Sequence, residues 1–110
     1  MPALRFRRDE TGRPRAEVEN ADSGAGLGSL ARLLTDEVRS RGEALALLAW
    51  AEKSAKAGGR QLYNGNAYHL VLEAGHVSIA HVYQDNFPGG RCDLATFSSA
   101  LREWGEFLTE

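Results

Sequence analysis

Three histidines, one cysteine and scattered carboxylates are the groups in this chain that could do chemistry. His69, His76 and His81 could hold a metal or move protons, since imidazole is both the commonest metal ligand and a base near neutral pH. Strict alternation places His69 and His76 on one face of a strand pair and His81 on the other, so a three-histidine centre is not expected. A site made of His69, His76 and Glu73 is the metal geometry left, and a pair of surface imidazoles is the simpler reading of the same residues. His81 falls beside Tyr68 on the core face, as a partly buried hydrogen-bonded side chain or, in a catalytic reading, as a general acid or base. Cys92, Ser98 and Ser99 are nucleophile types expected at or within a helix, with no motif setting a histidine or an acid beside them. The carboxylates form no pair that pattern assigns to acid and base. The residues therefore predict no catalytic set, no metal and no cofactor, and favour a protein that works by binding.

The elements that must position these groups are readable from periodicity. Leu4 and Phe6 alternate with Arg5 and Arg7, and Ala16 and Val18 with Arg15 and Glu17, around the turn-forming Asp9-Glu10-Thr11-Gly12; an opening hairpin is expected. Residues 20 to 29 are rich in glycine. They lack the Gly-Lys-Ser/Thr ending of a phosphate loop and follow no buried parallel strand, so they read as a flexible linker. Leu27, Leu30, Leu34 and Val38 recur at helical spacing, predicting a helix that ends near Ser40. Ser40-Arg41-Gly42-Glu43 fits a capping box and predicts a second helix from there to Gly58-Gly59.

After those glycines the period becomes two. Tyr68, Leu70 and Leu72 share a face, Ala74-Gly75 turns the chain, and Val77, Ile79, His81 and Tyr83 continue that face on the return strand, with Glu73 opposite His76. Residues 84 to 91 read as an irregular recognition loop. Asp93 reads as an N-cap, and Leu94, Phe97, Leu101, Trp104 and Leu108 as the apolar face of a closing helix. The expected fold is α+β, one domain over residues 1 to 110, with an antiparallel sheet from two hairpins, three helices on one side and the order β-β-α-α-β-β-α.

Composition limits the function classes. At 110 residues, 43% of them hydrophobic and 25% charged, the chain has the size and balance of one globular domain. A formal net charge of −2, from 13 Lys plus Arg against 15 Asp plus Glu, argues against a dedicated nucleic-acid binder. The five arginines at positions 5, 7, 8, 13 and 15 have Asp9, Glu10, Glu17, Glu19 and Asp22 among and after them, and read as a solvated hairpin with cross-strand charge pairs rather than a phosphate-binding patch. No run approaches the roughly 20 apolar residues of a membrane helix, and the first residues lack the apolar stretch of a signal peptide. The lone Cys92 can form no internal disulfide and reads as a small buried hydrophobe, so a reducing, cytoplasmic location is expected.

Phe6-Arg7-Arg8-Asp9-Glu10-Thr11-Gly12, then Gly65-Asn66-Ala67-Tyr68-His69-Leu70 leading to Val77, then Gln84, and Cys92-Asp93-Leu94-Ala95-Thr96-Phe97 with Phe107 resemble the YacL-like family of small bacterial proteins. The chain departs from that family after Gln84, where residues 85 to 91 replace a longer acidic insertion. No catalytic residues are assigned in that family, and the resemblance implies a housekeeping or regulatory protein, as a homodimer through a sheet edge or the apolar helix faces. The closing hairpin and helix, with Leu-x-x-Phe and Trp104 to Leu108, are also similar to immunity proteins of contact-dependent growth inhibition systems. That similarity implies a cytosolic protein that blocks a toxin domain, often a nuclease, by covering its active site. Glu73, His76, Asp85, Asn86, Phe87 and Arg91 are the candidate partner-binding residues, set against the alternative that Phe87 tucks onto the core and the polar ones are merely solvated.

Overall fold

The computed structural model describes residues 4–18, 25–82 and 90–109, the side chains of residues 25 and 26 excepted. Its elements are β1 (Leu4–Arg8), β2 (Pro14–Val18), α1 (Ala25–Glu37), α2 (Arg41–Ala57), β3 (Gln61–Asn64), β4 (Tyr68–Glu73), β5 (His76–His81), β6 (Gly90–Asp93) and α3 (Leu94–Leu108). The class is α+β, with the order β-β-α-α-β-β-β-β-α. Two expectations are corrected here. The hairpins do not share one sheet: β1 and β2 pair only with each other, and a separate antiparallel sheet has the order β3-β4-β5-β6. Two of its strands, β3 and β6, were not expected.

Local chemistry accounts for the well-marked elements. Asp9 closes the first turn by accepting from the Thr11 and Arg13 amides at 2.9 and 3.0 Å and from the Thr11 hydroxyl at 2.6 Å. The Thr11 and Arg15 bonds hold its carboxyl well below the usual carboxylate range. Across this hairpin Arg7 meets Glu17 at 2.6 Å and Arg15 meets Asp9 at 2.9 Å, the charge pairing expected. Ser40 caps α2 by accepting the Glu43 amide at 3.1 Å, while its hydroxyl lies 3.2 Å from the Glu43 carboxylate. The Ala74-Gly75 turn has positive φ at both positions, 53° and 78°, as a two-residue hairpin with right-twisted strands requires.

The glycine-rich stretch is the third correction. Residues 25 to 29 are not linker but the first turns of α1. Leu30, Leu33 and Leu34 are buried to 1% exposure or less, and this tertiary burial outweighs the entropic penalty of Gly26 and Gly28, about 1 kcal/mol each. The helix also ends earlier than expected, at Glu37, with Val38 and Arg39 already outside it. Residues 20 to 24 of the expected linker, like Tyr83 and the loop residues Asp85, Asn86 and Phe87, lie outside the described residues.

One apolar core joins the layers. Tyr68, Leu70, Leu72, Val77, Ile79 and Cys92 point from the four-stranded sheet into it, and Phe97, Ala100, Leu101 and Trp104 meet them from α3. Helices therefore pack on one side of this sheet, as expected; α2 lies mainly against α3, and α1 against β5 and β6. The β1-β2 ribbon is joined to α1 through Thr35, whose hydroxyl accepts the Ala16 amide at 3.0 Å and donates to the Ala16 carbonyl at 3.3 Å. Phe6 fixes the ribbon's other side against Trp104, edge to face at 5.2 Å, and Phe107 at 5.8 Å. No described helix is long and apolar enough to cross a membrane.

Candidate functional site

Among the described residues, no element packs on the opposite face of the four-stranded sheet. By register, Glu73 on β4 stands opposite His76 on β5, and His76 stands opposite Asp93 on β6, so two carboxylates flank one imidazole in a row across three strands. One step along, Val71, Ser78 and Arg91 form the next outward row, and Leu62 on β3 pairs with Val71. Pleating sends these side chains away from the core, because residues two apart share a face and those between them are buried. Leu62 is 60% exposed, an apolar side chain left outside because Gln61 and Tyr63 take the inward positions of that strand. A shallow trough of about 370 Å³ runs over this face, lined by His69, Val71, Ser78, Ala80, Gly90 and Arg91.

Of the six expected binding residues, the structure brings Glu73, His76 and Arg91 together on this face. Arg91 sits on an edge strand rather than in the irregular loop expected there, because residues 90 to 93 hydrogen-bond to β5. Asp85, Asn86 and Phe87 lie outside the described residues. Sequence reasoning placed Val71 on this face beside His69 and Glu73 and missed Leu62 and Asp93 as members of it. Asp93 was assigned only its capping role, which it fills by accepting the Thr96 amide at 2.7 Å. Its bonds to Thr96, with a smaller contribution from His76, hold its carboxyl below the usual range, so it remains anionic on this face.

The other chemical candidates are held in packing and backbone contacts. Tyr68 is buried, sits edge-on to His81 at 4.9 Å between centroids, and donates its hydroxyl to Asp36 at 2.5 Å. Burial first and Asp36 second push its phenol above the ordinary value. The neighbouring Glu37 accepts the Ala67 amide, and the Tyr68 amide at 3.0 Å, which satisfies backbone donors where the chain enters β4. Tyr83, the third member of the catalytic reading, lies outside the described residues. Cys92 lies on β6 directly before the Asp93 cap of α3, a small buried hydrophobe at a helix start as expected; it is 8% exposed, and burial pushes its thiol up to about 11. Both features make it a poor nucleophile at neutral pH. His69 and His76 do share a face, yet among the described residues no group of three His, Cys, Asp or Glu is close enough to hold a metal ion. No family model, no curated protein and no solved structure matches the chain.

Proposed function

We propose that the chain is an immunity protein that binds a bacterial toxin domain and occludes its active site, the partner being a nuclease of a contact-dependent growth inhibition system. The observation that carries this reading is the open sheet face. It sets the apolar Leu62, Val71 and Ala80 among Glu73, His76, Asp93 and Arg91, a mixture of apolar and charged side chains on one exposed surface of the kind protein interfaces use. The helices packed behind it give a rigid platform, so binding needs little ordering of the backbone. Carboxylates of Glu73 and Asp93 on a chain of net charge −2 suit the basic cleft of a nuclease, where complementary charge speeds encounter and rejects wrong partners.

The test is protection of cells that express the toxin domain encoded beside this gene. Wild-type chain restores growth, and the double variant Glu73→Lys/Arg91→Glu, with an unchanged melting temperature, does not. Undiminished protection by that variant removes the sheet face from the account.

A second reading is supported by one observation: among the described residues β3 ends the sheet with an unpaired edge next to exposed Leu62. Such an edge is suited to pairing with another copy, as a homodimeric housekeeping protein of the YacL-like kind would do. Sedimentation distinguishes the two, since a dimer that Leu62→Lys dissociates favours this second reading.

A further inference from the structure

A second depression lies on the other side of the molecule, where β2, the end of α1 and α3 meet. Its volume is about 310 Å³, and Arg13, Arg15, Thr35, Asp36, Arg39 and Trp104 line it, with Pro14 and Val38 adding apolar wall. We propose that this cleft binds a small phosphomonoester whose organic part carries a hydroxyl group.

The charges in the cleft do not cancel. Arg15 is paired with Asp9 at 2.9 Å, which leaves Arg13 and Arg39, neither of them in an ion pair among the described residues. Arg39 holds one edge against the Asp36 backbone carbonyl at 3.3 Å, which orients its guanidinium without neutralising it. Asp36 is the one carboxylate among the lining residues, and it already accepts the Tyr68 hydroxyl. Two guanidinium groups thus face one hydrogen-bonded carboxylate, a positive surplus in a chain whose net charge is negative.

The remaining polar groups of the cleft are occupied. The Thr35 hydroxyl serves both backbone groups of Ala16, and the Trp104 indole N–H donates to the Val38 carbonyl at 2.7 Å. Recognition therefore falls to the guanidinium forks, whose paired donors match the oxygens of a phosphate. The second Asp36 oxygen disfavours a further anion at its end and accepts from a hydroxyl, which fixes the other half of the ligand. The volume lies near the lower end of the small-molecule range, roughly 300 to 1,000 Å³, so the organic part is a few carbons long. This site is distinct from the open sheet face and does not depend on the toxin-binding reading.

The test is a titration of the purified chain with glycerol 3-phosphate and with inorganic phosphate at constant ionic strength, followed by amide and indole NMR signals. Expected are saturable shifts at Thr35, Asp36, Arg39 and the Trp104 indole, with glycerol 3-phosphate bound more tightly than inorganic phosphate. Arg13→Gln and Arg39→Gln each weaken binding at least tenfold at an unchanged melting temperature, and Lys53→Gln, remote on α2, does not. Arg13→Lys and Arg39→Lys serve as second variants that keep the charge and lose the fork, and they weaken binding less than the glutamines. Linear shifts without saturation, or equal affinity in wild type, Arg13→Gln and Arg39→Gln, overturn the proposal.

Discussion

Replacing Trp104 by phenylalanine tests how the closing helix holds the molecule together. The indole is 1% exposed and donates to the Val38 carbonyl at 2.7 Å, which anchors the chain where it leaves α1. Phenylalanine keeps a six-membered ring against Phe6 but offers no donor. The Val38 carbonyl is then buried without that partner, a loss of about 1 to 3 kcal/mol. The missing five-membered ring leaves a small void whose lost contacts add about 1 kcal/mol. The sum, about 2 to 4 kcal/mol, is a large part of the roughly 5 to 15 kcal/mol that stabilises a domain of this size. It corresponds to a fall in melting temperature of about 10 to 20 °C. Urea unfolding followed by far-ultraviolet circular dichroism measures it, with Trp50→Phe as the comparison, because Trp50 is only half-buried, against Tyr63 at 5.4 Å. A loss below about 1 kcal/mol for Trp104→Phe, or an equal loss for both variants, refutes the reasoning.

Three further outcomes follow from the same contacts. A Cβ added at Gly65 would overlap the Glu37 carboxylate and crowd the Tyr68 carbonyl at 3.1 Å, so Gly65→Ala lowers stability by about 1 to 3 kcal/mol in urea titration. Because the Tyr68 phenol is raised above its ordinary value of 10.0, the stabilisation tied to its protonated form is complete below pH 10 and is lost as pH rises beyond it. The melting temperature of the wild type therefore falls above pH 10 more steeply than that of Tyr68→Phe. Cys92, raised from 9.0 to about 11 by burial, reacts with iodoacetamide at pH 8 at least tenfold more slowly in the native chain than in urea; equal rates would contradict its placement.

Elements whose sequence agrees with their environment were legible. The capping box at Ser40 and Glu43, the Ala74-Gly75 turn, the Glu73–His76 register and the Asp93 cap all stand where the sequence predicts them, because each depends on neighbours a few residues apart. The two missed strands have no such signal. In β3 the apolar Leu62 faces out and the polar Gln61 faces in, the reverse of a half-buried strand, and β6 is four residues long with Cys92 as its one inward hydrophobe. Both owe their form to the ladder beside them rather than to propensity. The start of α1 was hidden for a similar reason: the helical spacing of Leu27, Leu30 and Leu34 spoke for a helix, but Gly26 and Gly28 spoke for a linker, and the burial of Leu30 and Leu34 by distant residues decides between them. The candidate face was half legible: alternation separated His69 and His76 from His81, but Leu62, Arg91 and Asp93 join the face through strands that the pattern did not reveal.

The most direct measurement of the central claim is titration of the purified chain with a catalytically inactive toxin domain encoded beside its gene, combined with amide hydrogen exchange in the mixture. The account predicts a one-to-one complex near nanomolar affinity, about −12 kcal/mol, with protection concentrated on β3, β4, β5 and β6 and with at least tenfold weakening by Glu73→Lys. Separate elution of the two proteins, or a complex that protects only the helices and is indifferent to Glu73→Lys, would contradict it.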